Sequence, residues 1–257
     1  MAFTNPNPSS YDAYAIKWAN KMNSGKNYAH KFLEKPALYS CLPSELGDLK
    51  VLCIGCGSGE ECDYLAKRGA TVVGLDNSVG LINIAKQAYP QIQFEVMDQN
   101  HLNFPPASFD LVFSSLTIHY SADWVSIFSR IHQILKPAGQ FLFSTHHPIK
   151  WGAQTTRTKT INSYLLGYRK NKHTQEQEIF GDYLNSRAIT DRLFGELDII
   201  YYHKPISEIF RIIKQTNFEL IDFLEPKPII EAKKEVPKFF EVYSRIPLFM
   251  IFNLQKV

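Results

Sequence analysis

The chain is poor in cysteine: four among 257 residues, at Cys41, Cys53, Cys56 and Cys62, too few for a disulfide framework. Cys53 and Cys56 have the Cys-x-x-Cys spacing of a redox or zinc pair. No second pair and no nearby His completes a tetrahedral ligand set, so they read as small residues at a strand end, and no metal is expected. Long apolar runs are missing too; none approaches the roughly 20 residues that cross a bilayer. Met1–Ser10 has neither the basic flank nor the apolar core of a secretory signal, which makes a cytoplasmic protein the expectation. Charge imbalance is small. The 28 Lys and Arg against 25 Asp and Glu leave +3, too little by itself to argue for nucleic acid or a membrane as partner. No internal repeat is present, which excludes solenoids and propellers.

What is present is an alternation. Apolar content of 45% and charge of 21% are those of a soluble globular protein, and the length suits a single α/β domain over 1–257. From Lys50 onward strand-like and helix-like segments take turns: strands at 50–54, 71–75, 92–96, 109–114 and 140–144, helices at 60–68, 79–88 and 122–135. Such alternation implies right-handed βαβ units, hence a doubly wound, mainly parallel sheet with helices on both faces. Ahead of it, residues 1–45 read as an N-terminal helical cap. Tyr11, Tyr14, Ala15, Trp18, Ala19 and Met22 fall on one face of its first helix. The alternation stops at His146, and residues 147–204 contain no βαβ unit. A segment that long is expected to be a lid or hairpin insertion over the substrate. Its first part, 150–172, carries six basic residues and no acidic one, the pattern of a solvated face or of attraction to an acidic substrate or RNA. A helix at 205–216 and strands at 218–224 and 248–254 follow, separated by a charged, proline-containing linker over 225–237.

The most informative stretch is Val51-Leu52-Cys53-Ile54-Gly55-Cys56-Gly57-Ser58-Gly59, an apolar strand running into three glycines at alternate positions. Ligands of open α/β sheets bind just past a strand's carboxyl end, and glycines let the backbone approach them. A dinucleotide fold needs Gly-x-Gly-x-x-Gly with a pyrophosphate on the following helix. Here the third glycine comes one place early and the helix opens with Glu60 and Glu61, which disfavours a nicotinamide dehydrogenase and favours a cationic ligand. Asp76 ends the second strand, where an acid can accept both ribose hydroxyls. Asp98, beside Gln99, follows the third and can accept from an adenine amino group. Together the set is shaped for the adenosine of S-adenosylmethionine.

These residues resemble the class I S-adenosylmethionine-dependent methyltransferases of the bacterial, small-molecule type. The resemblance rests on Val51–Gly59, Gly74–Ser78, Met97–Gln99, Phe109–Ser114 and Leu135–Gln140, and is strong over about residues 45–145. It implies seven strands, the last antiparallel, with the methyl donor above the first and fourth. The donor is expected on Gly55, Cys56, Gly57, Ser58, Asp76, Asn77, Asp98, Gln99 and Ser114, with Tyr14 from the cap. One departure is Cys53, where the family commonly has an Asp or Glu that organises the loop and the donor's amino-acid end; Glu60 and Glu61 are the candidates to stand in.

Methyl transfer from a sulfonium needs alignment and exclusion of water more than activation. Aromatic faces can stabilise the sulfonium, and Tyr11, Tyr14 and Tyr28 are favoured over Trp18 for that place. If the acceptor must lose a proton, His119, His146 and His147 are the candidate bases, with His119 and His147 taken as the catalytic pair. His203 is expected to fix the insertion to the core. After strand four the chain reads Ser114-Ser115-Leu116-Thr117 rather than the Asn/Asp-Pro-Pro-aromatic of base or glutamine amide methylation, and no Pro-Cys supplies a cytosine nucleophile. The acceptor class expected is a small molecule with an O-, N- or C-nucleophile. The alternatives are a non-catalytic module that binds donor or product, and an RNA methyltransferase using the basic insertion.

Overall fold

The computed structural model describes residues 8–193 and 196–257; the Met1–Asn7 part of the segment read above lies outside the described residues. The chain opens with α1 (Pro8–Asn23), then a π-helical turn over His30–Glu34 that runs into α2 (Lys35–Ser40). The alternating region follows as β1 (Lys50–Ile54), α3 (Glu60–Lys67), β2 (Thr71–Asp76), α4 (Val79–Ala88), β3 (Gln93–Val96), β4 (Phe109–Ser114), α5 (Trp124–Ile134) and β5 (Leu135–His146). A short α6 (Pro148–Gly152) leads into three hairpins: β6 (Gln154–Arg157) with β7 (Asn162–Leu165), β8 (Gly167–Lys170) with β9 (Gln177–Phe180), and β10 (Arg187–Leu193) with β11 (Leu197–His203). The chain closes with α7 (Ile206–Gln215), β12 (Phe218–Leu224), α8 (Glu231–Glu235), α9 (Pro237–Tyr243) and β13 (Phe249–Lys256).

Seven strands form one sheet in the order β12-β13-β5-β4-β1-β2-β3. β13 is antiparallel to both its neighbours and the remaining pairs are parallel. The apolar run of β1 reflects burial on both faces. Leu52 and Ile54 enter one layer with Val73, Leu75 and the inner faces of α5 and α7 (Phe128, Ile131, Ile209, Ile213). Val51 and Cys53 enter the opposite layer with Leu38 of α2, Leu65 of α3 and Ile82 of α4. Phe128 is fully buried among Phe141, Phe143 and Phe218, so its truncation to Ala would cost about 3–5 kcal/mol.

Most boundaries shift by one or two residues, and the linker expected over 225–237 contains α8; two further differences have a clear local reason. The helix expected from Ala122 starts at Trp124, because the Asp123 carboxylate accepts from Ser126 N at 3.0 Å and caps it. The strand expected over 140–144 extends over Leu135–His146, with a register irregularity opposite Phe109/Leu111 and Ala138 at φ 59°. Lys136 holds this bend, its ammonium 2.8 Å from both oxygens of Asp110. Among the described residues no helix is long and apolar enough to cross a membrane.

Candidate functional site

The carboxyl ends of β1 to β5 open into one cavity of about 470 Å³. Its floor begins at the glycine turn. Gly55, Gly57 and Gly59 take φ of 68°, 53° and 92°, a region that costs any other residue strain. At Gly55 the need is also steric, since a Cβ there would collide with the Thr117 side chain. At Gly57 a Cβ would point into open space, its nearest heavy atom Trp18 Nε1 at 3.8 Å.

Asp76 fastens this turn. One of its oxygens accepts from Gly57 N at 3.0 Å and the other from Ser78 N at 2.9 Å. Burial pushes its pKa up, those backbone N–H groups pull it down, and nearby Asp12 raises it again. A carboxylate offers about four acceptor positions, so the two bonds leave capacity for a ligand's hydroxyls. Asp98 accepts from both the backbone and the side-chain nitrogen of Asn100, at 2.8 and 2.7 Å. Gln99 is buried; its amide nitrogen donates to Thr117 O at 3.3 Å, and its Oε1 has no hydrogen-bond partner.

Farther along the sheet edge the lining becomes aromatic and imidazole-rich. His119 lies after β4 and His146 ends β5, their ring centroids 4.4 Å apart. His119 Nδ1 is 3.2 Å from Thr145 Oγ1, whereas His146 Nδ1 is buried with no partner. Burial lowers the His119 pKa to about 3, with help from the Lys150 charge, and drives His146 well below the usual range. Both rings are therefore neutral at pH 7. Tyr120 and Tyr201 pack beside them with tilted rings, and the hydroxyls of Tyr120 and Tyr11 meet at 2.6 Å.

The cap and the insertion both close over this space. Asp12 of α1 accepts from Ser78 Oγ at 2.6 Å and Gly80 N at 3.0 Å, which pins α1 to the start of α4. Lys17 pairs with Glu196 at 2.6 Å, tying α1 to the insertion. Beneath the cap, Glu34 is fully buried and accepts from Ser115 and Ser144 hydroxyls at 2.9 and 2.5 Å. Burial alone would raise its pKa; His30, 3.4 Å away, and the two hydroxyls outweigh it and hold the carboxyl ionised.

A family profile for a methyltransferase domain matches residues 52–143. An uncharacterised methyltransferase of Synechocystis sp. is 42% identical over 105 residues, 40% of this chain and 50% of that protein. A malonyl-[acyl-carrier protein] O-methyltransferase of Coxiella burnetii is 28% identical over 172 residues, 66% of this chain and 57% of that one. The chain thus spans only about half the length of these two relatives. The crystal structure of an S-adenosylmethionine-dependent methyltransferase from Mesorhizobium loti is similar over far more of the chain. It is 27% identical, covers 90% of this chain and 99% of its own, and has a TM-score of 0.72. Residues 52–143 thus carry a methyltransferase domain, and the chain as a whole is similar to S-adenosylmethionine-dependent methyltransferases. S-adenosylmethionine is the cofactor of that family.

Of the residues expected at the donor and acceptor, Gly55, Gly57, Asp76, Asn77, Asp98, Gln99 and His119 line the cavity. Five other residues read as site members do not. His147 is one residue past His146 and faces the other way; its Nε2 sits 2.7 Å from Glu225 and its Nδ1 accepts from Ile149 N as the cap of α6. Cys56 packs into the layer under α2, α3 and α4, where burial raises its thiol pKa to about 11 even though a bond from Cys62 works against this. Ser58 is buried in the turn, and Ser114 donates to Ile54 O at 3.3 Å between strands. Tyr14 packs with Trp151, Leu197 and Tyr201 of the insertion. Tyr28 stacks on Phe32, and Trp18, disfavoured from sequence, is the aromatic over the glycine turn.

Glu60 and Glu61 do not replace the acid missing at Cys53: both pair with Lys35 at 3.0 Å, outside the cavity lining. Cys53 itself lies in the core with Leu65 and Phe113. His203 bonds Tyr183 O at 2.8 Å within the insertion. Sequence reasoning missed Glu34, whose only signal was an acid on a helical stretch, and Lys150, which was counted among the solvated basic residues yet lines the cavity.

Proposed function

We propose that this chain moves the methyl group of S-adenosylmethionine to a small-molecule acceptor enclosed in the cavity, and that it does so in the cytoplasm. The observation that carries the reading is continuity: one space joins the glycine turn and both acids to His119 and His146, beneath α1 and the insertion. A volume of about 470 Å³ lies in the range of small-ligand sites.

The residues present fit the donor. The unpartnered Gln99 Oε1 beside Asp98 suits an adenine amino group, Asp76 keeps acceptor capacity for ribose hydroxyls, and the bare surface at Gly57 admits the amino-acid end. Trp18 lines the cavity beside the glycine turn, within reach of a sulfonium bound there. When bound, the donor supplies an activated methyl; the chain's residues align the acceptor with it and keep water out.

The alternatives have less support. RNA methylation would use the basic insertion, but Arg157 and Arg169 are paired with Asp191 and Glu178, and Lys150 belongs to the cavity wall. The non-catalytic reading rested on Cys53, which the core absorbs. The test is a metabolite panel incubated with S-adenosylmethionine, following release of S-adenosylhomocysteine. A small molecule should stimulate release in the wild type and not in Asp76→Ala; release stimulated only by RNA would overturn the reading.

A further inference from the structure

Lys150 occupies an unusual position for a cation. It comes from α6, immediately after β5, and lines the cavity rather than the surface. Its ammonium lies 4.6 Å from the Trp151 ring centroid and 6.0 Å from that of Tyr164. No carboxylate forms an ion pair with it among the described residues. Asp191 is the acid that acts on it through space, but both oxygens of Asp191 are already taken by the guanidinium of Arg157. Lys150, Arg157 and Asp191 therefore carry one surplus positive charge between them.

Nothing else on the cavity wall neutralises that charge. The carboxylates that line the cavity, among the described residues, are Asp76 and Asp98 at the ends of β2 and β3. β2 is three places from β5 in the sheet, roughly 14 Å at about 4.8 Å per strand. Between them the proposed donor would bring a second cation. A neutral acceptor would leave a sulfonium and an ammonium facing each other in a low-dielectric space, where like charges repel strongly. His146 adds a complementary gap: its Nδ1 is buried and unpaired, 4.4 Å ring to ring from His119.

We propose that this end of the cavity is a carboxylate pocket, and that the acceptor is a small carboxylic acid whose anionic group seats against Lys150, within reach of His119 and His146. This deepens the methyl-transfer reading and rests on it. A monovalent carboxylate matches one surplus charge, whereas a phosphate dianion would exceed it, and among the described residues no arginine lines the cavity to clamp one. The rings of Tyr120 and Tyr201, which do line the cavity with centroids 5.1 Å apart, favour a planar or unsaturated body behind the carboxylate. Both histidines are neutral, so they add hydrogen bonds without adding charge.

The experiment is calorimetric titration of protein saturated with S-adenosylhomocysteine. The probes are acetate, hexanoate, benzoate and phenylacetate, each against its amide. At least one acid should bind the wild type about tenfold or more tightly than its amide. Lys150→Met should erase that preference while S-adenosylhomocysteine affinity and melting temperature hold, and Lys150→Arg should restore it. Acids and amides binding alike, none of the four acids binding, or a preference that survives in Lys150→Met would overturn the carboxylate pocket. Failure of S-adenosylhomocysteine itself to bind would instead overturn the donor reading beneath it.

Discussion

Gly57→Ala separates the donor cradle from the fold that carries it. Gly57 sits at φ 53°, and an added Cβ would meet nothing nearer than Trp18 Nε1 at 3.8 Å. The cost to the free protein is thus backbone strain alone, about 1–2 kcal/mol for an L-residue in the left-handed region. In a chain of this size each kcal/mol lowers the melting temperature by about 2–4 °C, so the variant should melt roughly 2–8 °C early and still fold. The methyl would protrude into the cavity where the donor's amino-acid end is proposed to lie. Overfilling a contact of that kind costs about 1–3 kcal/mol, roughly 5- to 150-fold in dissociation constant. Scanning calorimetry of the free variant and titration with S-adenosylhomocysteine read the two effects separately. A variant that melts early yet binds S-adenosylhomocysteine like the wild type would refute the placement. Gly55→Ala is the contrasting case: its Cβ collides with Thr117, so it should damage fold and binding together.

Other perturbations probe the remaining parts. Asp76→Ala removes acceptors from Gly57 N and Ser78 N and should weaken donor binding by about 1–3 kcal/mol; unchanged affinity would remove Asp76 from the site. Cys53→Asp should lower the melting temperature without tightening donor binding, because the side chain lies in the core between β1 and its covering helices; a large gain in affinity would contradict that. His119 and His146 stay neutral in the fold, whereas an unfolded His takes up a proton near pH 6.5. Below that pH the unfolded chain binds more protons, so stability should fall as pH drops from about 6.5, by up to about 1.4 kcal/mol per unit for each ring. Melting curves between pH 7.5 and 5.0 should show the decline, and His119→Gln with His146→Gln should flatten it; an unaltered slope would exclude these rings as its source.

The sheet was legible because β1 to β3 are followed or closed by a glycine or an acid, and because α5 and α7 keep a strict helical stripe (Ile127, Phe128 and Ile131; Ile209, Ile212 and Ile213). The donor end was legible for the same reason. Gly55, Gly57, Asp76, Asp98 and Gln99 each sit at the end of a strand or within three residues of it, so chain position alone puts them on one edge. The acceptor end was not. His146 and His147 are adjacent, and along a strand neighbours face opposite ways; only the register of β5 against β13 decides that His146 meets the cavity. Tyr11, Tyr14 and Trp18 share one helical stripe, and which of them meets the insertion and which the glycine turn depends on how α1 crosses α4 and β11. Lys150 and Glu34 look like surface residues in sequence because their burial comes from segments distant in the chain.

The most direct test is a crystal structure of the protein with S-adenosylhomocysteine bound. The ribose hydroxyls should lie on Asp76, the purine beside Asp98 and Gln99, and the amino-acid end against Gly55 and Gly57, with the sulfur directed toward His119. A ligand seated elsewhere, or one that leaves Asp76 and the glycine turn untouched, would contradict the account.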